Sequence, residues 1–168
     1  MYTITIPKRL AEELKGRGIE PESYLIDLIS RHLDLDPEIT AEAHMELAVM
    51  FLEEGKGLID KDPVQASEKL YKAAEEAIKA LTIHYKLDTV LNKVNERGRW
   101  TVTELEKAVE AISERLGEWF RVAWDEANYL HIWGFHEAKL DTNAIKVRRS
   151  NIEKMVKKAQ EIIMSNIH

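Results

Sequence analysis

Two Asp-Pro steps, Asp36-Pro37 and Asp62-Pro63, mark the chain as helical more firmly than any other feature. An aspartate carboxylate accepts hydrogen bonds from the unpaired amides of a first helical turn. Proline at the first helical position gives up only an amide with no intrahelical partner. After the first step, residues 37–58 place Ile39, Ala43, Leu47, Met50 and Phe51 on an inward face and Glu38, Glu42, Glu46, Glu53 and Glu54 on an acidic outer one. After the second, residues 63–85 carry two apolar tracks, Ala66/Leu70/Ala73/Ala77/Leu81 and Val64/Tyr71/Ala74/Ile78/Tyr85. A helix apolar over so wide an arc belongs at the centre of a bundle, and its alanines let neighbours approach closely.

The remaining segments extend this pattern. Residues 87–99 read as a connection with a helical turn at 89–94 and an interruption at Gly98. Thr101 and Glu104 form a capping-box pair. A long third helix is expected from there to Trp133, with Leu105, Val109, Ile112, Leu116, Phe120, Ala123, Ala127 and Leu130 at helical spacing and Gly134 as its stop. A last helix from Asp141 buries Ile145, Ile152, Met155, Val156, Ala159, Ile162 and Ile163. His168 is expected to belong to a mobile terminus.

The first residues differ. Residues 2–6 alternate Tyr, Thr, Ile, Thr, Ile, a period-two strand pattern. Two short helices follow, one with Leu10 and Leu14 on one face, the other starting at Pro21 with Tyr24, Leu25, Leu28, Ile29 and Leu33 as its stripe. The reading is therefore all-α: an up-down four-helix bundle over residues 36–168, with a strand-helix-helix arm over residues 1–35. Such an arm is similar to a ribbon-helix-helix module, in which paired strands from two chains enter a DNA major groove with Thr3 and Thr5 towards the bases. The strand carries no Arg, Lys, Asn or Gln to read base edges. A strand-mediated contact with a second copy is the simpler expectation, because a free strand edge must be paired or covered.

Composition narrows function by exclusion. The chain has no cysteine, which removes disulfides, thiolate metal sites and cysteine nucleophiles. Its net charge of −6 argues against whole-molecule attraction to nucleic acid. Missing cysteine, 32% charged residues and short linkers suit a thermophile. No run approaches the roughly 20 apolar residues of a membrane span. The first residues lack a secretion signal's basic start, so the expected address is the cytoplasm.

The segment from Asp62 to Leu81, DPVQASEKLYKAAEEAIKAL, resembles the signature of the archaeal PaREP family, and so does His131-Ile132-Trp133-Gly134-Phe135-His136-Glu137. That family resembles, at fold level, the HEPN superfamily of small helical bundles. The resemblance implies a dimer, and in some HEPN relatives a metal-independent ribonuclease. Those enzymes resemble one another in an Arg, four to six residues, then His. Here Arg121 and His131 have nine residues between them, and the nearer spacing, Lys79 to His84, has lysine for arginine. A noncatalytic homodimeric binding or assembly module is therefore expected in preference to an enzyme. RNA binding or cleavage and DNA binding through residues 1–34 stand as alternatives.

At about 100° per residue, Gly117, Trp124, Asn128 and His131 fall together beside the apolar face of the third helix, with Arg121 next to them. They form a candidate binding edge: access at Gly117, stacking on Trp124, hydrogen bonds from Asn128 and His131, an anion contact at Arg121. The plainer account is a packed tryptophan with ordinary polar flanks. Lys146, Arg148, Arg149, Lys154, Lys157 and Lys158 make the last helix a candidate basic surface for phosphate or RNA, or a solvated face complementary to the acidic one. His131, His136 and Glu137 suggest a metal, but histidines five apart do not share the face that i, i+4 spacing gives, so no metal or other cofactor is expected. His44 and His84 read as hydrogen-bonded helix residues. Tyr71 reads as core with its hydroxyl at the edge, and Glu68 with Lys72 as a surface ion pair.

Overall fold

A computed structural model describes residues 1–165, all of them helix, turn or irregular segment with no strand. His168 lies outside the described residues. None of the described helices is long and apolar enough to cross a membrane. The elements are α1 (Lys8–Gly16), α2 (Pro21–His32), α3 (Pro37–Leu58), α4 (Pro63–His84), α5 (Asp88–Arg97), α6 (Val102–Leu116), α7 (Trp119–Tyr129), a π-helix (Leu130–His136) and α8 (Thr142–Met164).

Carboxylate caps set the three longest helices. Asp36 accepts from the Glu38 amide at 2.9 Å, Asp62 from Gln65 at 3.1 Å and Asp141 from Ala144 at 2.8 Å. Each aspartate satisfies an amide that would otherwise have no partner. α3 and α4 form the most extensive helix pair, and α4 also meets α5, α6, α7, the π-helix and α8. Ala66, Ala73, Ala74, Ala77 and Ala80 of α4 are fully buried, as a central helix with close neighbours requires. Around them pack Phe51, Leu70, Ile78, Leu81, Ile112, Phe120, Trp124, Leu130, Ile145 and Ile152.

The structure corrects the sequence reading at four places. Residues 1–7 precede α1 without forming the expected strand. A strand exists only by pairing, and no other segment among the described residues pairs with this one. The expected single third helix is broken: Gly117, at φ 104° and ψ 161°, ends α6, and the chain re-enters helix as α7. The break is held by the Trp119 indole, whose Nε1 donates to the Leu116 carbonyl at 2.7 Å. The connection after α4 is a full helix, α5, closed by Gly98 in the left-handed conformation that glycine adopts without strain. In α3 the buried face is rotated from the expected one: Ile39 is 52% exposed, whereas His44 is fully buried.

The π-helix docks tightly on α4. A Cβ on Gly134 would lie 2.6 Å from the Ser67 Cβ. Ser67 cannot yield easily, because it is fully buried and its hydroxyl donates to the Pro63 carbonyl at 2.9 Å. Gly134→Ala is therefore expected to lower unfolding stability by about 1–3 kcal/mol through overpacking. Ser67→Gly in the same chain should recover part of the loss. Denaturant titration of the two single variants and the double variant tests this, and independent, additive losses would refute the contact.

Candidate functional site

α4 turns a polar stripe towards the N-terminal helices. Glu68, Tyr71, Lys72, Glu75, Glu76 and Lys79 share one face by i, i+3, i+4 spacing and line a cleft of about 580 Å³. α2 and the turn before it form the opposite wall. The π-helix closes one end, and Arg99 and Trp100 contribute from the α5–α6 link.

The floor of the cleft is a buried ion network. The Lys79 ammonium lies 2.7 Å from Glu75, 2.8 Å from Glu76 and 2.8 Å from the Ser23 hydroxyl of α2. His44 of α3 touches Glu76 through Nδ1 at 2.6 Å and Asp27 of α2 through Nε2 at 3.0 Å. Burial disfavours the charge on His44, but Glu76 and Asp27 override it and lift the imidazolium pKa to about 9. Burial would likewise raise Glu76, but Lys79 and His44 hold it down at about 2. Two cations therefore face three carboxylates and tie α2, α3 and α4 together. Breaking such a network from one side is costly because the remaining charges stay buried.

The rim is aromatic and basic. Tyr71 stacks on His131 with ring centroids 4.0 Å apart, and on its other side meets Trp124 at 5.6 Å. Burial, then Glu75 and Glu68, push the Tyr71 hydroxyl above its ordinary pKa, so it stays protonated. His131 Nδ1 lies 2.7 Å from a Glu68 oxygen, and His131 Nε2 lies 3.1 Å from Nε2 of His136. Lys72 pairs with Glu20. Burial and the neighbouring Glu22 carboxyl raise Glu20 to about 7 despite that lysine.

Of the five residues in the candidate edge, His131 alone lines this cleft. Trp124 is fully buried and donates its Nε1 to Glu106 at 2.6 Å. Asn128 Nδ2 donates to the Trp124 carbonyl at 3.2 Å. Arg121 is exposed and paired with Glu118 and Asp125, and Gly117 sits at the helix break. The basic residues of α8 are largely engaged with neighbours. Lys146 pairs with Asp60, Lys157 with Glu153 and Lys158 with Glu161, while Arg148 covers the Tyr129 ring and Lys154 the Trp119 ring. The Arg149 Nε is buried without a hydrogen-bond partner among the described residues.

The sequence reading did not single out Asp27, Glu75 and Glu76, and it gave Glu68, Lys72 and His136 no place in the site. Glu68 and Lys72 do not pair with each other; each reaches a different neighbour across the cleft. The available signal was a charged stripe running the length of a helix that is otherwise alanine-rich and buried. His136 was discounted for its spacing. The π-helix reverses that argument, because its hydrogen bonds span five residues, as from the Glu137 amide to the Ile132 carbonyl at 2.9 Å. Residues 131 and 136 thus come onto one face. No group of three or more His, Asp or Glu among the described residues is arranged to hold a metal.

These features define an all-helical protein with a polar cleft set against its central helix. The chain belongs to the archaeal PaREP1/PaREP8 family, whose model matches residues 43–156. It is similar to a crystal structure of a protein from Sulfolobus solfataricus, 38% identical, with a TM-score of 0.64 over 67% of this chain and 93% of that one. It is also similar to the solution structure of the Orf c02003 protein, 37% identical, with a TM-score of 0.63 over 72% of this chain and 93% of that one. Comparison with curated proteins gave no match.

The network carries a pH signature. The folded pKa of His44, about 9, lies above its ordinary value of 6.5, so its stabilisation is complete below pH 6.5 and lost as pH rises through 9. Glu76 moves oppositely, from 4.5 to about 2, so its contribution is complete above pH 4.5 and lost as pH falls through 2. Stability from this network should therefore peak between pH 4.5 and 6.5 and fall by about 3 kcal/mol towards pH 9. Urea titrations across that range test the slope. His44→Gln should flatten the alkaline limb, and an unchanged limb would place its origin elsewhere.

Proposed function

We propose that this family member is a noncatalytic binding module that works as a homodimer, with residues 1–34 as the dimer contact and the cleft as the ligand site. One observation carries the dimer. α1 buries none of its residues, and Ile4, Leu10, Leu28, Ile29 and Leu33 stay exposed in the single chain. An amphipathic helix and an alternating segment without partners account for themselves when a second copy supplies both. Two copies of residues 2–6 related by a two-fold axis pair antiparallel and bury Tyr2, Ile4 and Ile6 on one face. Residues 1–35 then form the assembly arm and residues 36–168 the ligand-holding body. A HEPN-like up-down bundle for that body is supported by the packing of α3, α4, α7 and α8, with the interrupted α6–α7 segment as the third long element.

A second interface is favoured by a different observation. Val122 and Tyr129 of α7, with Ile132 and Trp133 of the π-helix, are all more than 40% exposed and fall at helical spacing. Light scattering on the full chain distinguishes the two. The wild type is expected to elute as a dimer, and Ile4→Asp combined with Leu10→Asp as a folded monomer. A dimer that survives those changes but dissociates in Trp133→Asp would move the interface to α7. A wild-type monomer at all concentrations would refute homodimeric assembly.

A further inference from the structure

We propose that His131 and His136 form a divalent transition-metal site open to the cleft. Their Nε2 atoms lie 3.1 Å apart, with the rings at 80° to one another. Zinc binds histidine nitrogen at about 2.0–2.1 Å, which on a tetrahedral ion places two ligand nitrogens about 3.3 Å apart. The nitrogens are a few tenths of an ångström short of that separation, and with the ring centroids 4.4 Å apart the exposed His136 side chain must also swing outward so that both Nε2 lone pairs converge on one ion.

The tautomers favour this. The Glu68 carboxylate can only accept, so the Nδ1 it touches on His131 carries the proton. In the neutral ring, the form that binds metal, that leaves a lone pair on His131 Nε2. The contact between the two Nε2 atoms is then a hydrogen bond donated by His136 and accepted by His131. When an ion enters, the His136 proton moves through solvent from Nε2 to Nδ1, and both Nε2 lone pairs turn to the metal. Glu68 supplies the carboxylate partner that metal-bound histidines commonly have, fixing the ring and increasing its basicity. Tyr71 stacks on the same ring and braces it.

The position is also accessible. The His131 side chain is one-quarter exposed and His136 is exposed. With two protein ligands the remaining coordination sites belong to water or to a ligand in the cleft. Imidazole pairs of this kind suit Zn²⁺ and Cu²⁺ rather than Mg²⁺ or Ca²⁺.

The test uses the full chain after chelator treatment, titrated with Zn²⁺ in a non-coordinating buffer by calorimetry. One ion per chain is expected. His136→Gln is expected to weaken binding at least tenfold, and Glu68→Gln by about tenfold through loss of ring orientation. His32→Gln, at the exposed end of α2, should leave the affinity unchanged. Cu²⁺ bound to the wild type should show two equivalent nitrogen couplings by electron paramagnetic resonance. Because His136 is exposed, its variant keeps the fold, which circular dichroism verifies. Absence of binding at millimolar Zn²⁺, or binding retained in His136→Gln, would overturn the proposal. The outcome is independent of whether the chain is a monomer or a dimer.

Discussion

The docking of the N-terminal helices on the bundle centres on Glu76. It is a buried carboxylate on a helix whose other buried positions are mainly alanine and larger apolar residues, and it is tolerated because Lys79 and His44 meet it from two directions. Those contacts join the N-terminal helices to the bundle, since Asp27 and Ser23 of α2 complete the same network. An apolar interface of the same size would be as stable or more so. The charged contacts mark one registry, Ser23 against Lys79 and Asp27 against His44, and in it α2 forms the second wall of the cleft.

The other wall depends on two small residues. Gly134 and Ser67 let the π-helix approach α4 closely enough for His131 to stack on Tyr71 and reach Glu68. The same wide helical turn brings His136 round to its partner. Backbone irregularity, close packing and the arrangement of imidazoles are thus one fact described at three scales. π-Bulges commonly accompany functional sites, and here the reason is visible: an α-helical turn would direct His136 away from His131.

Much of this architecture was readable from residues alone. The Asp-Pro caps, the alanine tracks of α4 and the apolar positions of α8 follow from spacing that a helix imposes whatever surrounds it. What escaped reading depends on contacts between distant segments. Gly117 lies in a run whose apolar period continues undisturbed, so nothing local announces that Trp119 will fold back onto Leu116. His44 reads as a hydrogen-bonded helix residue, but its partners Glu76 and Asp27 lie far along the chain and nothing local names them. Glu68 and Lys72 have the spacing of an ordinary surface pair, and only docking of α2 and the π-helix assigns them separate partners. The period-two segment at residues 2–6 is legible as a strand, yet nothing among the described residues of a single chain pairs with it.

The central placement of α4 has a consequence for how the molecule breathes. Its amides carry both the core and the cleft, so they should exchange with solvent only when the whole domain opens, whereas α1, which buries nothing, can fray alone. A molecule occupying the cleft therefore cannot be released by local melting of the surface it touches on α4. It must leave by movement of α2 or the π-helix, or wait for global unfolding.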